Sequence, residues 1–233
     1  MTLQHVDIVF RIIAFLFAIS VHESAHAWTA NRCGDPTARM LGRVTLNPIK
    51  HIDPVGTILL PAISMFSGVG AIGWAKPTPV NPRNFKNPMR DDILTSVAGP
   101  ISNFLLGSIA LVVLALISFV SPLAMQITKA IPLVYPQHLD LLTSQTDSAL
   151  MPLCLFAYEM VMINIILAVF NLIPVPPLDG SHVLRHFLSD SALRVYDTVG
   201  IFGLMALVFL APQWLGALIN PFVIFFNLLL LRL

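Results

Sequence analysis

Charge is scarce in this sequence. Only 11% of its 233 residues are Asp, Glu, Lys or Arg, where soluble domains carry about 25%. With 56% hydrophobic residues and a mean hydropathy of +0.81, that shortage excludes an ordinary water-soluble globule and predicts a polytopic membrane protein. Neither sign of charge dominates. The formal net charge is +1, too little to build a field for a phosphate backbone, so nucleic acid is not expected as a partner. Cysteine is nearly missing. Cys33 and Cys154 stand far apart with no C-x-x-C, which excludes a disulfide framework and a cysteine zinc site and leaves them packing roles. Lys and Arg are absent from Met1 to Asp7, so the first apolar run does not read as a cleaved leader. No repeat, low-complexity tract or soluble extra domain is visible, and residues 1–233 read as a single integral-membrane domain.

Long apolar runs, by contrast, are plentiful. About 20 residues cross the hydrocarbon layer as a helix, and Val6–Ala30, Ile93–Val120 and Leu150–Leu172 each suffice. Thr198–Ala211 and Trp214–Leu231 form a last apolar hairpin around Pro212. Arg39–Leu46 reads as a short strand, and Pro122–Val134 as a segment at the membrane interface. Pro54–Gly70 is apolar but broken by proline and glycine. Pro77, Pro79 and Pro82 after it enforce extended chain. Such backbone sits at membrane depth only against protein or a wet cavity.

The basic residues choose between a crossing and a re-entrant 54–70 segment. If it re-enters, Arg32–Lys50, Lys76–Arg90, Arg185, Arg194 and Arg232 share one side, 11 of the 13 basic residues. Only Arg11 and Lys129 are left out. The expected fold is therefore all-α, with about five to six transmembrane helices and a short re-entrant extended or β segment near 70–82. The N-terminus lies outside, and Ser20–His26 and Asp179 lie toward the cytoplasm.

Within the first run, Ser20-Val21-His22-Glu23-Ser24-Ala25-His26 contains H-E-x-x-H. On a helix His22 and His26 are one turn apart on one face, in register for two corners of a zinc tetrahedron. Glu23 beside them is placed to take a proton from water. Titratable groups at that depth cost about 2.5–3.5 kcal/mol each on insertion scales and are functional candidates by default. A catalytic zinc needs a third ligand. Asp179, in the proline-rich break Pro174-Val-Pro-Pro-Leu-Asp179-Gly180, is the strongest candidate, because irregular backbone can aim its carboxylate. Glu159, His182 and His186 are the others. Asp179 also suits the N-cap of a helix starting at Gly180, Asn171 a C-terminal helix cap, and Asn103 a hydrogen bond between helices. Gly99-Pro100 reads as a kink or a point of close packing.

H-E-S-A-H at 22–26 together with N-L-I-P-V-P-P-L-D-G at 171–180 resembles the site-2 protease family of intramembrane zinc metalloproteases. G-P-I-S-N at 99–103 and G-W-A-K-P-T-P-V-N-P at 73–82 are similar to the same family, and the four stretches follow in family order. The resemblance implies one zinc per chain held by His22, His26 and Asp179, with Glu23 as general base and Asn171 as a polar neighbour able to meet an oxyanion. It implies that peptide bonds of membrane-spanning protein substrates are hydrolysed in the lipid bilayer, in a bacterial inner membrane. It also implies that 70–82 receives substrate by strand pairing. The sequence departs from many relatives in starting with the H-E-x-x-H helix and in lacking a PDZ domain. A metal or proton transporter and an inert membrane scaffold are the rival readings. The first would favour inverted repeats, which are not visible. The second would favour an altered Glu23, which is intact.

Overall fold

The structure is a computed structural model that describes residues 3–59, 74–135 and 148–233. Among them are eight α-helices: α1 (Leu3–Cys33), α2 (Thr37–Met40), α3 (Pro88–Val120), α4 (Pro122–Val134), α5 (Leu150–Asn171), α6 (Asp179–Arg185), α7 (Asp190–Phe209) and α8 (Pro212–Leu231). Short 3₁₀ turns lie at Pro48–Lys50 and Pro82–Asn84, and a π-type turn at Pro54–Leu59. No β-strand occurs among the described residues. Helices α1, α3, α5 and α8 are long and apolar enough to cross a membrane. A fifth crossing follows if Asp190–Gly200 and Phe202–Phe209, bent by 52°, act as one span. The all-helical membrane character expected from composition is present.

Helices α1, α3 and α5 pack against one another and carry the site. On α1 the positions 14, 18, 22, 26 and 30 repeat every four residues and so form one stripe. Ala14, Ala18 and Ala30 are fully buried there, with His22 and His26 between them. Small side chains let α3 approach closely, the usual means of helix association where no hydrophobic drive separates protein from lipid. The opposite face, including Ile8, Ile12, Ile13 and Phe17, is exposed.

Helix α3 is patterned in the same inverted sense. Its buried side is small or polar, with Asp92, Thr95, Ser96, Gly99, Asn103 and Gly107, while Leu105, Ile109, Val112, Leu116 and Phe119 face outward. Helix α5 is the most enclosed of the four apolar helices. Its Leu155, Val161 and Ile165 join Leu114 of α3, Ile127 and Ile131 of α4 and Phe226 and Leu230 of α8 in one apolar core. Helix α4 begins on a Ser121 cap whose hydroxyl accepts from the Ala124 N–H, and it is pinned to α3 by Ser118 and Thr128 at 2.8 Å.

The expected strand at Arg39–Leu46 is not formed. Helix α2 occupies its start, and Gly42, at φ +67°, turns the chain where an extended run would have continued. Of the expected extended segment near 70–82, residues 70–73 lie outside the described residues. Residues 74–81 form neither helix nor strand and are tied to the preceding loop by Trp74 N–H to Gly56 O at 3.1 Å and Lys76 N–H to His51 O at 2.9 Å. Whether 54–70 crosses also falls mostly outside the described residues.

Candidate metal centre

Three ligand atoms converge between α1 and the start of α6. His22 Nε2 and His26 Nε2 are 3.0 Å apart. Asp179 Oδ2 lies 3.1 Å from the first and 3.4 Å from the second. Among the described residues, His22, His26 and Asp179 form a group that could hold a metal ion. Glu159, His182 and His186 are not part of it.

The histidines share a face because α1 continues unbroken through the motif. Asp179 arrives by an irregular route. Helix α5 ends at Asn171, and the chain from Leu172 to Leu178 is wound on short bonds such as Val175 N–H to Ile173 O at 2.8 Å and Leu178 N–H to Val175 O at 3.0 Å, with Pro176–Pro177 cis. Asp179 is the first residue of α6, and Leu178 is the cap position. The capping alternative for Asp179 therefore falls away, leaving its carboxylate free to point at the histidines. Gly180 makes this start possible: a Cβ there would lie 2.2 Å from Leu172 O.

Each imidazole is oriented from behind. The His22 Nδ1–H donates to Asn103 Oδ1 at 2.6 Å, and the His26 Nδ1–H donates to Thr95 O at 2.7 Å. The Asn103 amide has only one consistent orientation. Its Nδ2 faces Ala18 O at 3.1 Å and Asn164 Oδ1 at 2.9 Å, and a backbone carbonyl can only accept. Asn103 Oδ1 must then receive the His22 proton. Asn164 is fixed in turn by donating to Met160 O at 2.8 Å. Both rings thus carry their proton on Nδ1 and turn an Nε2 lone pair inward.

That arrangement calls for positive charge. Two nitrogen lone pairs 3.0 Å apart, beside a carboxylate, repel unless a cation lies among them. A proton would serve two of the three atoms, whereas a metal ion serves all three. Asp179 Oδ2 is buried and has no hydrogen-bond partner. A tetrahedral zinc with ligands at about 2.0–2.1 Å needs ligand atoms about 3.3–3.4 Å apart, close to the spacings of this triangle. Gly99 leaves the space. A Cβ there would lie 2.4 Å from His26 Nε2 and 2.6 Å from His22 Nε2. The donor set fits zinc.

Glu23 is held by Thr78, in the irregular stretch that precedes α3. Its Oε2 accepts from the Thr78 N–H at 2.8 Å and from the Thr78 hydroxyl at 2.7 Å, and the same hydroxyl approaches Glu23 O at 3.0 Å. Asn171 lies at the end of α5, where its amide donates to Leu167 O at 2.9 Å. The His186 Nε2–H donates to Asp92 Oδ2 at 2.7 Å, tying the end of α6 to α3. Glu159 sits about 20 Å along the bundle, with Arg11 at 3.6 Å and Tyr135 hydrogen-bonded to it.

Thr95, Asn164, Thr78 and Asp92 were not singled out by sequence reasoning. One signal was available: Thr95, Gly99 and Asn103 stand four apart on a single face of α3. For Thr78 and Asn164 no sequence signal pointed to their partners.

Membrane-type helices closing on a two-histidine, one-carboxylate group define a helical membrane metalloprotein. The sequence matches peptidase family M50 over residues 10–211. It is 32% identical over 208 residues to the "Putative zinc metalloprotease YwhC" of Bacillus subtilis, a match covering 89% of this chain and 82% of that protein. It is 28% identical over 208 residues to the "Putative zinc metalloprotease Rip2" of Mycobacterium tuberculosis, covering 88% of this chain and 68% of that protein. No solved structure matches the chain. The chain belongs to peptidase family M50, the site-2 protease family that its motifs resemble, and is a metallopeptidase by membership.

Proposed function

We propose that this protein is an intramembrane zinc endopeptidase that hydrolyses peptide bonds of membrane-spanning protein substrates. The observation that carries the reading is the convergence of His22 and His26, on a helix long and apolar enough to cross a bilayer, with Asp179 within contact distance. Zinc is the metal of the family and fits this donor set. His22, His26 and Asp179 hold one ion per chain, and Asn103 and Thr95 fix the rings that present it. Zinc, when bound, supplies Lewis acidity, acidifying water and polarising a peptide carbonyl.

Glu23 takes the proton of the attacking water on its carboxylate and returns it to the leaving amine. Thr78 keeps that carboxylate in place, and it ties Glu23 to residues 74–80, where an extended substrate stretch would lie. Asn171 offers its remaining amide hydrogen to the carbonyl oxygen as negative charge develops there. The whole chain acts as one membrane domain with five or six spans, a re-entrant segment at 54–70 and a short extended or β segment near 70–82, in a bacterial inner membrane. The concentration of basic residues in the α1–α3 connection, at the metal end of the bundle, supports placing the site toward the cytoplasm.

The test is zinc content and cleavage of a membrane-spanning model peptide by purified wild type and Glu23→Gln in detergent. The expected result is one zinc per chain in both and cleavage about 100- to 10,000-fold slower in the variant, the range for loss of a general base. Equal cleavage by both overturns the reading. So does zinc moved across vesicles without proteolysis, or zinc-loaded protein that binds the peptide and never cuts it.

A further inference from the structure

The connection between α1 and α3 contains a cationic cleft that the peptidase chemistry leaves unused. It has a volume of about 340 Å³ and is lined by Leu41, Arg43, Lys50, Lys76, Pro77 and Pro79. Three cations line it and no carboxylate does. Arg43 is its floor. The residue is 5% exposed, and its guanidinium donates to Lys50 O, Lys76 O and, at 3.2 Å, Pro77 O. Its Nε is buried with no partner. The Lys76 N–H donates to His51 O at 2.9 Å, so the backbones carrying Lys50 and Lys76 lie close together, and both residues line the cleft.

The nearby acids are hydrogen-bonded elsewhere: Asp53 accepts from the Val55 and Gly56 N–H groups, Asp35 from Thr37, Asn81 and Asn84, and Glu23, whose charge also acts on Arg43, from Thr78. Among the described residues neither lysine is in an ion pair.

The rim beside the cations is apolar and exposed: Met40 at 82%, Leu41 at 60%, Leu46 at 56% and Ile49 at 74%. Large apolar side chains standing in a row next to unpaired lysines, on a loop packed against a membrane-type helix, match a bilayer interface. Acyl chains take the apolar rim and phosphates the cations.

We propose that this cleft binds the phosphate headgroup of an anionic phospholipid, gripped by Lys50 and Lys76 above Arg43, with Met40, Leu41 and Ile49 entering the acyl layer beside it. The bound lipid clamps the 39–50 loop to residues 76–79. Because Thr78 lies within that stretch and holds Glu23, the lipid also steadies the strap over the candidate general base. The proposal rests on the membrane setting of the chain and not on its proteolytic activity.

The experiment measures lipid binding to the purified full chain in neutral detergent by native mass spectrometry. Phosphatidylglycerol, phosphatidylcholine and inorganic phosphate are titrated in turn. Wild type is expected to retain one phosphatidylglycerol where phosphatidylcholine is not retained. Each lysine near an anionic lipid contributes about fivefold, so Lys50→Gln/Lys76→Gln is expected to bind phosphatidylglycerol about 25-fold more weakly. Lys50→Arg/Lys76→Arg should keep most of the affinity, and Lys129→Gln, at the far end of the bundle, all of it. Unchanged phosphatidylglycerol binding by the double glutamine variant overturns the site, as does equal retention of phosphatidylcholine. Inorganic phosphate competing as well as the lipid would make the ligand a free anion and overturn the lipid assignment. Zinc content, read alongside, shows that a variant is folded and keeps this outcome separate from that of the peptidase test.

Discussion

Replacing Gly99 with alanine places a single methyl group against the candidate metal centre. The added Cβ would lie 2.4 Å from His26 Nε2 and 2.6 Å from His22 Nε2, whereas ordinary contact begins at 3.4 Å. Both rings must therefore retreat by about 1 Å, several times the roughly 0.2 Å tolerance of a metal–ligand distance. The rings cannot swing away freely, because each is bonded through Nδ1 to Asn103 or Thr95. Breaking either bond leaves a buried polar group without a partner, at about 1–3 kcal/mol. Glycine to alanine inside a helix returns about 1 kcal/mol of propensity, so the fold itself should survive.

Loss of a residue bonded to a ligand typically weakens metal binding 10- to 100-fold. Displacing the ligands themselves should do more. We expect Gly99→Ala to lose at least about 100-fold in zinc affinity, or about 2.7 kcal/mol, by competition with a chromophoric chelator. Gly216→Ala on α8 is the control. Its Cβ would meet only Asn220 Nδ2 at 3.5 Å, an ordinary contact, so zinc loading should hardly change. Stoichiometric zinc of unaltered affinity in Gly99→Ala would refute the placement of the metal between these two rings.

Further outcomes are expected elsewhere. Asn103→Leu removes the acceptor that turns His22 and should weaken zinc about 10- to 100-fold in the same chelator assay, with helix content by circular dichroism retained. Asp92→Asn loosens the tie from α3 to His186. Because that tie acts only through α6, the expected loss of zinc affinity is below about tenfold, less than for a residue touching a ligand.

At Asp35 burial raises the carboxyl, but hydrogen bonds from Thr37, Asn81 and Asn84 outweigh it and hold the group below its ordinary value. A lowered folded value means stability that is fully present above the unfolded value, about pH 4, and lost as pH falls through the folded one. The difference in thermal midpoint between wild type and Asp35→Asn should therefore be constant near neutrality and shrink below about pH 4. A gap that does not change with pH would contradict that balance.

Much of the fold was legible because lipid imposes a simple rule: spans must be long and apolar, and α1, α3, α5 and α8 obey it. The strand expected at 39–46 failed for a local reason. Alternation around Met40, Val44 and Leu46 looked extended, but Gly42 turns the chain and Arg43 folds back to carbonyls at Lys50, Lys76 and Pro77. Those acceptors lie up to 34 residues away, beyond the reach of any local pattern. Asn103 was recognised as an interhelical hydrogen-bonding residue. Its partner, a ring nitrogen 81 positions earlier, was not recognised, because backbone period says nothing about which distant helix supplies the donor.

The sequence by itself determined that two imidazoles share a face, since four residues make about one helical turn, and that they sit in a span, since their flanks are apolar. Only the tertiary structure decided which carboxylate meets them, which nitrogen of each ring turns inward and why no side chain fits at 99. Those outcomes depend on how α1, α3 and the α5–α6 break pack, and packing is set by shape and polar partnering between segments more than 150 residues apart.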